Sequence, residues 1–171
     1  MTVDLHAAAT QKSREGIPGQ EPLRKRQNWM AVLAKSDPKD LAEKTATLRD
    51  LPRYAVIRPA ETGSVMVRGR AGGTGSPFNL GEMTVTRCVV QLTGSDDNSV
   101  VGHAYVAGRD KGHAENAALM DALLQTSSWH SEVRDNVITP LAQAAKDARL
   151  ERSGKVAATK VNFFTMVRGE N

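Results

Sequence analysis

The apolar residues of this chain change their period twice, and those changes limit the fold more than any single motif does. In "LRKRQNWMAVLAKS", Trp29, Val32 and Leu33 recur at i, i+3, i+4, which predicts one apolar stripe on a short basic helix ending near Lys35. In "SDPKDLAEKTATLRDLP", Asp37 can cap, Pro38 suits the first helical position and Asp40 favours the positive end of the dipole. A second helix is therefore expected to stop before Pro52. The pattern then turns extended: "GSVMVRG" (63 to 69), "MTVTRCVVQL" (83 to 92) and "SVVGHAYVAG" (99 to 108) are rich in Val and Thr and read as strands. The polar turn "TGSDDN" (93 to 98) makes the second and third an antiparallel hairpin.

Helical spacing returns in "HAENAALMDALLQ", with Ala117, Met120, Leu123 and Leu124 on one side. A further helix is predicted from about Trp129 to Arg149, carrying Val133, Val137, Leu141, Ala144 and Ala148 on its face. Pro140 lies inside that pattern and should kink or restart it, with Thr139 available as a cap. "TKVNFFTMVRG" (159 to 169) alternates like a last strand, and Met-Val-Arg-Gly at its end repeats residues 66 to 69. The simplest reading of that repeat is two strands leaving a sheet through similar glycine turns. The expected fold is α+β: two N-terminal helices, an antiparallel sheet of about four strands, and two helices inserted before the last strand.

With 171 residues the chain suits one buried core, taken as residues 21–171, behind a leader of residues 1–20 that reads as disordered. That leader has neither the charged start nor the apolar stretch of a secretory signal. The longest apolar run, Trp29 to Ala34, is far short of the ~20 residues that cross a bilayer, so no membrane span is expected. Cys88 is the only cysteine, which leaves no intrachain disulfide and no cysteine-based zinc cluster, and fits a reducing cytoplasm. The net charge of +4 and pI near 9.4 tilt the protein toward anionic partners, although Lys and Arg are interleaved with Asp and Glu. An independent anion- or RNA-binding module is one reading of that charge. It lacks aromatic residues interleaved with a basic stripe, so no specific nucleic acid is expected.

The glycine-rich stretch "MVRGRAGGTGSPFNLGE" (66 to 82) fails both common phosphate-loop templates. No Gly-Lys-Ser/Thr follows it, Gly69, Gly72, Gly73, Gly75 and Gly81 nowhere give G-x-G-x-x-G, and it leads to a strand, not a helix. Arg68 and Arg70, two apart, project from one face if the strand runs that far; they are either a solvated strand end or a grip on one phosphate. In "GRDKGHAE" (108 to 115), Arg109 and Lys111 flank Asp110 at a helix start, where an anion can meet free N–H groups unless Asp110 caps them itself. His113-Ala114-Glu115 imitates the H-x-E of zinc deaminases but lacks the P-C-x-x-C partner. His103 reads as a packed strand histidine, and Cys88 as a buried small residue without a neighbouring base. Trp29, Phe163 and Phe164 could anchor a partner.

Four blocks in order, "RQNWMAVLA", "VMVRGRAGGTGSPFNLGEMTVTRC", "AYVAGRDKGHAENAALMDALLQ" and "TKVNFFTMVRGE", make the chain from about residue 26 to 170 similar to the PhnG family, a subunit of the bacterial carbon–phosphorus lyase core complex. The resemblance implies a cytoplasmic role in organophosphonate breakdown, as a required subunit of a transferase and not as a self-sufficient enzyme. In that family's pathway PhnG, PhnH and PhnI, helped by the ATPase-like PhnL, displace adenine from ATP with methylphosphonate to give α-D-ribose 1-methylphosphonate 5-triphosphate. The nucleosidase-type chemistry is associated mainly with PhnI, and the later radical step with the iron–sulfur subunit PhnJ. It thus implies ATP and methylphosphonate as substrates of the complex, no cofactor, metal or catalytic residue in this chain, and PhnI-, PhnH-, PhnJ- and PhnL-like partners. Arg68, Arg70, Arg109 and Lys111 are the candidates for the anionic part of a substrate; Gly72, Gly73, Gly75, Phe78, Phe163 and Phe164 are the candidates for a subunit interface. Gly112 departs from the family pattern, which has a basic residue there, and thins the positive charge at that helix start.

Overall fold

The computed structural model describes residues 21–93 and 100–159. Helices α1 (Glu21–Lys35) and α2 (Pro38–Thr47) lead into an antiparallel sheet of order β1-β2-β3, with β1 at Tyr54–Arg70, β2 at Pro77–Leu92 and β3 at Val101–Ala107. Then follow α3 (Lys111–Leu124), α4 (His130–Val133), a π-helical turn (Arg134–Ile138) and α5 (Thr139–Ala158). The α+β class holds. The described residues contain three strands where about four are expected, and the fourth candidate, 159 to 169, falls almost entirely outside them.

Local chemistry explains the N-terminal elements. The Asp37 carboxylate accepts the Lys39 N–H at 2.9 Å, and Pro38 opens α2 where its missing N–H costs nothing. The core lies between α3 and one face of the sheet. Cys88 and Val90 of β2 and Ala104 and Val106 of β3 point into it, against Ala114, Ala118, Met120 and Ala122 of α3, with Leu33 of α1 and Leu41 of α2 closing the side. Small residues bring helix and sheet together: a Cβ on Gly102 would lie 2.0 Å from the Ala118 carbonyl oxygen and 2.5 Å from the Ala122 nitrogen. This close approach is what makes an alanine-rich core space-filling without large aromatics.

Three expectations are corrected. The first strand starts at Tyr54, not at 63, because Pro59 and the charges of "IRPAETG" hide its alternation; among the described residues β1 is an edge strand, a place that tolerates proline, and its register slips between Val56 and Arg58 and again between Arg58 and Glu61. Pro140 falls in the first turn of α5, which starts after the π-helical turn as a restart there predicts, but Thr139 does not cap it. Thr139 has helical dihedrals, and the wider π turn just before it absorbs the clash of the proline ring, so the helix runs on to Ala158. Val133, Val137 and Leu141 are buried as the spacing predicts, but Ala144 and Ala148 are exposed, since α5 leaves the core beyond Ala142.

Candidate functional site

β1 and β2 are much longer than β3, which pairs with β2 only from Val85 to Gln91. From Met83 outward the two strands form a free ribbon, an arm closed by a short 3-10 turn at Ala71–Gly73. Gly72 and Gly73 have φ of 61° and 80°, the left-handed values that a tight reversal needs and glycine adopts without strain. Arg70 donates to the Gly75 carbonyl at 2.9 Å and fastens the tip. Where the arm joins the sheet, the Thr62 and Thr86 hydroxyls meet at 3.1 Å, Thr86 donates to Gly108 at 2.8 Å, and Arg87 pairs with Glu61 at 2.8 Å. The glycine stretch is thus the end of a hairpin, in keeping with its leading to a strand and not into a helix.

The strand does run through Arg70, so Arg68 and Arg70 project from one face, the face that also carries Thr62, Ser64, Thr84 and Thr86. α3 covers that face farther in. Arg109 and Lys111 sit exposed where α3 begins, beside the root of the arm: Gly108 N donates to Thr84 O at 2.9 Å, and Thr84 pairs with Ser64. Arg68 lies four residues beyond Ser64, or ~13 Å along the strand. The four cations therefore line one side of the molecule without converging in a single pocket. Arg68, Arg109 and Lys111 make no ion pair or side-chain hydrogen bond among the described residues, while Arg70 is engaged with the tip.

At the start of α3 the capping reading holds. Asp110 accepts the His113 N–H at 2.8 Å, so its carboxylate already occupies the positive end of the helix. Gly112 beside it has room for a side chain, its nearest neighbour to a Cβ being Asp110 Oδ1 at 3.5 Å. His113 is buried and holds the Leu33 carbonyl at 2.8 Å through Nε2, locking α3 to the end of α1. Glu115 accepts the Tyr54 hydroxyl at 3.0 Å, and burial together with that carboxylate raises the Tyr54 pKa. The two residues of the H-x-E pattern thus hold different elements. Cys88 is buried, and its desolvated thiol is pushed up from its ordinary pKa, the opposite of an activated nucleophile. Among the described residues no group of three or more His, Cys, Asp or Glu could hold a metal ion, and no helix is long and apolar enough to cross a membrane.

Sequence reasoning missed the molecule's main polar centre. Asp121, with 0% exposure, accepts from Arg26 at 3.2 and 2.8 Å, from Trp29 Nε1 at 2.9 Å and from the His103 backbone N–H at 3.1 Å. Arg26 also donates to His103 Nδ1 at 3.1 Å. One carboxylate thus joins α1, β3 and α3. The readable signal was an aspartate set among the apolar residues of "AALMDALL", with Arg26 and Trp29 one turn apart on α1. A cleft of about 340 Å³ opens beside this centre, over Trp29, Val32, His130 and Arg134. Two of its polar walls are already paired, His130 Nδ1 with Leu124 O at 2.6 Å and Arg134 with Asp135 at 2.9 Å. Phe163 and Phe164 fall outside the described residues.

The family model described as phosphonate metabolism protein PhnG matches residues 24–169, a span that includes the arm, the sheet and every helix but the first residues of α1. The α-D-ribose 1-methylphosphonate 5-triphosphate synthase subunit PhnG of Rhizobium meliloti (strain 1021) is 42% identical over 147 residues, which covers 85% of this chain and 90% of that protein. Similarity of this strength over nearly the whole fold places the chain in the PhnG family of phosphonate metabolism proteins.

Proposed function

We propose that this chain is a subunit of an α-D-ribose 1-methylphosphonate 5-triphosphate synthase, acting in the cytoplasm as one domain over residues 21–171 and supporting chemistry carried by partner subunits. The observation that carries the reading is the 42% identity, across 90% of its length, to a protein named as that subunit. The reaction replaces adenine at C1′ of ATP by an oxygen of methylphosphonate and keeps the triphosphate. It needs cations along the polyphosphate and a charged or polar group near the oxocarbenium-like carbon. Arg68, Arg109 and Lys111 are exposed on one side of the sheet with no side-chain partner among the described residues, and suit the first task. Asp121, His113, Glu115 and Cys88 are each engaged in holding the fold, which favours a partner as the source of the second.

In this reading the arm and the α3 start reach a PhnI-like subunit, with PhnH- and PhnJ-like chains completing the assembly and a PhnL-like ATPase assisting. The loops at 68 to 82 and 108 to 113 brace the partner's site, with Arg68 as the phosphate ligand this chain contributes. The test is co-expression with and without the PhnI-like subunit, followed by copurification and by product formation from ATP and methylphosphonate. Turnover that requires both chains supports the reading. A chain that never copurifies and makes no difference to turnover overturns it.

A further inference from the structure

We propose that one face of the hairpin arm, made by Val65, Val67, Phe78, Leu80 and Met83, is the surface by which this chain inserts into a cleft of a larger partner subunit; the inference rests on the subunit reading above. The register puts these residues together. Val65 pairs with Met83, Val67 with Gly81 and Gly69 with Phe78, so alternate β1 positions place all three pairs on one side of the ribbon. Leu80 is the extra residue of a bulge between Val67 and Arg68, and it folds onto the same side, where a Cβ on Gly69 would lie 2.5 Å from Leu80 Cδ1. Arg68 and Arg70 occupy the opposite side with Met66. The arm is therefore amphipathic, and nothing among the described residues covers its apolar side: Leu80 is 60% and Phe78 46% exposed.

A two-stranded ribbon with a bare apolar face is unstable in water on its own account, because such hairpins are marginal without a third strand or a packed surface. The exposed face amounts to roughly 400 Å², the size of the largest apolar patch on a typical soluble monomer, which is often a functional one. That area selects the kind of partner. Two copies of this chain meeting face to face would bury only about 800 Å² in total, the upper end of what lattice contacts bury and half of a standard specific interface. A cleft in a larger chain can enclose the apolar face together with the tip and the β1 edge that no described residue pairs, and so removes more area from water than a second copy does. The tip stands in open space and carries no side chain at Gly72 or Gly73, where a Cβ would meet nothing within 4 Å. The occupant is thus a different and larger protein chain with an apolar cleft wall, and insertion leaves Arg68 facing the interior of the assembly. This is how a subunit without a catalytic cluster of its own can present a cation to a partner's site.

The experiment co-expresses the full chain with the other subunits of the synthase and compares wild type with Leu80→Lys and with Phe78→Ser. Copurification is expected to fall about tenfold or more in each variant, as for a buried interface anchor, with the melting temperature of the isolated chain unchanged. Hydrogen exchange on wild type serves independently of the variants: amides 65–83 should exchange fast in the isolated chain and slowly in the complex. Copurification of wild type and both variants alike, with the arm unprotected in the complex, overturns the docking surface and leaves the subunit reading standing. Failure of wild type itself to copurify overturns both. An isolated chain that sediments as a dimer, and as a monomer with Leu80→Lys, assigns the face to a second copy and overturns the proposal. Arm amides protected in the isolated monomer, and released by truncation after Thr159, assign it to the chain's own last residues with the same consequence.

Discussion

Asp121 shows how one buried carboxylate can tie several elements of a fold together. Its carboxylate is buried on α3 and accepts from four nitrogens on two other elements, α1 and β3. Asp121→Ala strands the Arg26 guanidinium beside an apolar core and should cost about 3–5 kcal/mol in chemical denaturation. Asp121→Asn keeps an acceptor for Trp29 and should fall between that variant and wild type. Two glycines make a second, sharper contrast. At Gly102 an added methyl meets α3 backbone, which cannot step aside, so Gly102→Ala should lose about 1–3 kcal/mol or more. At Gly69 it meets only the end of the Leu80 side chain, which can rotate away, and Gly69→Ala should cost less than about 1 kcal/mol. Equal losses from the two substitutions, measured by denaturant unfolding, would show that helix–sheet closeness is not what Gly102 provides. Cys88 adds a pH test. Burial raises its pKa in the folded state, so the unfolded chain ionises first; its contribution is intact below the ordinary thiol value and is lost as pH rises past it. Native protein at pH 8 should therefore resist iodoacetamide until it is unfolded.

At the level of elements, what could be read from the chain depended on whether local pattern and tertiary setting agreed. α1, α2, α3 and the β2–β3 hairpin agreed, because caps, stripes and polar turns act within a few residues. β1 did not: a strand holding Pro59 and three slips of register suits a place at the edge of the sheet, which β1 has among the described residues, and edge position is a fact about neighbours. The exposure of Ala144 and Ala148 is similar, since the helical period predicts a face but not whether anything stands opposite it. The same limit applies to the cations. Spacing correctly put Arg68 and Arg70 on one face of a strand, but only the structure distinguishes Arg68, whose side chain bonds to nothing among the described residues, from Arg70, which is tied to Gly75. Arg68→Ala should therefore lower turnover of the assembled synthase about tenfold or more while copurification stays at wild-type level, as expected of a ligand to a charged group. Arg70→Ala should act mainly by loosening the tip, with a weaker effect on turnover and a measurable one on assembly. If both variants assemble poorly and Arg68→Ala turns over normally once assembled, the arm is an interface alone.

Across the whole molecule, core and projections divide the labour. The buried residues of α3, β2 and β3, with Leu33, Leu41, Val133, Val137 and Leu141, make one continuous cluster, while neither the arm beyond Met83 nor α5 beyond Ala142 contributes a buried side chain. Stability should then be separable from assembly. Ser64 and Thr84 are a cross-strand pair at the root of the arm, so residues 65–83 can be replaced by Asn-Gly, the two-residue link that suits the twist of paired strands. The shortened chain retains Thr62, Thr86 and Gly108, the Asp121 centre and every buried residue of the core. Its melting temperature should lie within a few degrees of wild type, since a change of 1 kcal/mol moves a domain of this size by about 2–4 °C. In the same preparation, copurification with the other subunits and formation of the ribosyl product should both be abolished, because the deletion removes the docking face together with Arg68. A fall in melting temperature beyond about 10 °C would mean that the arm supports the core from outside, and the loss of assembly would then reflect a damaged fold. A shortened chain that keeps both its stability and its partners would instead move the interface to the α3 start or to α5.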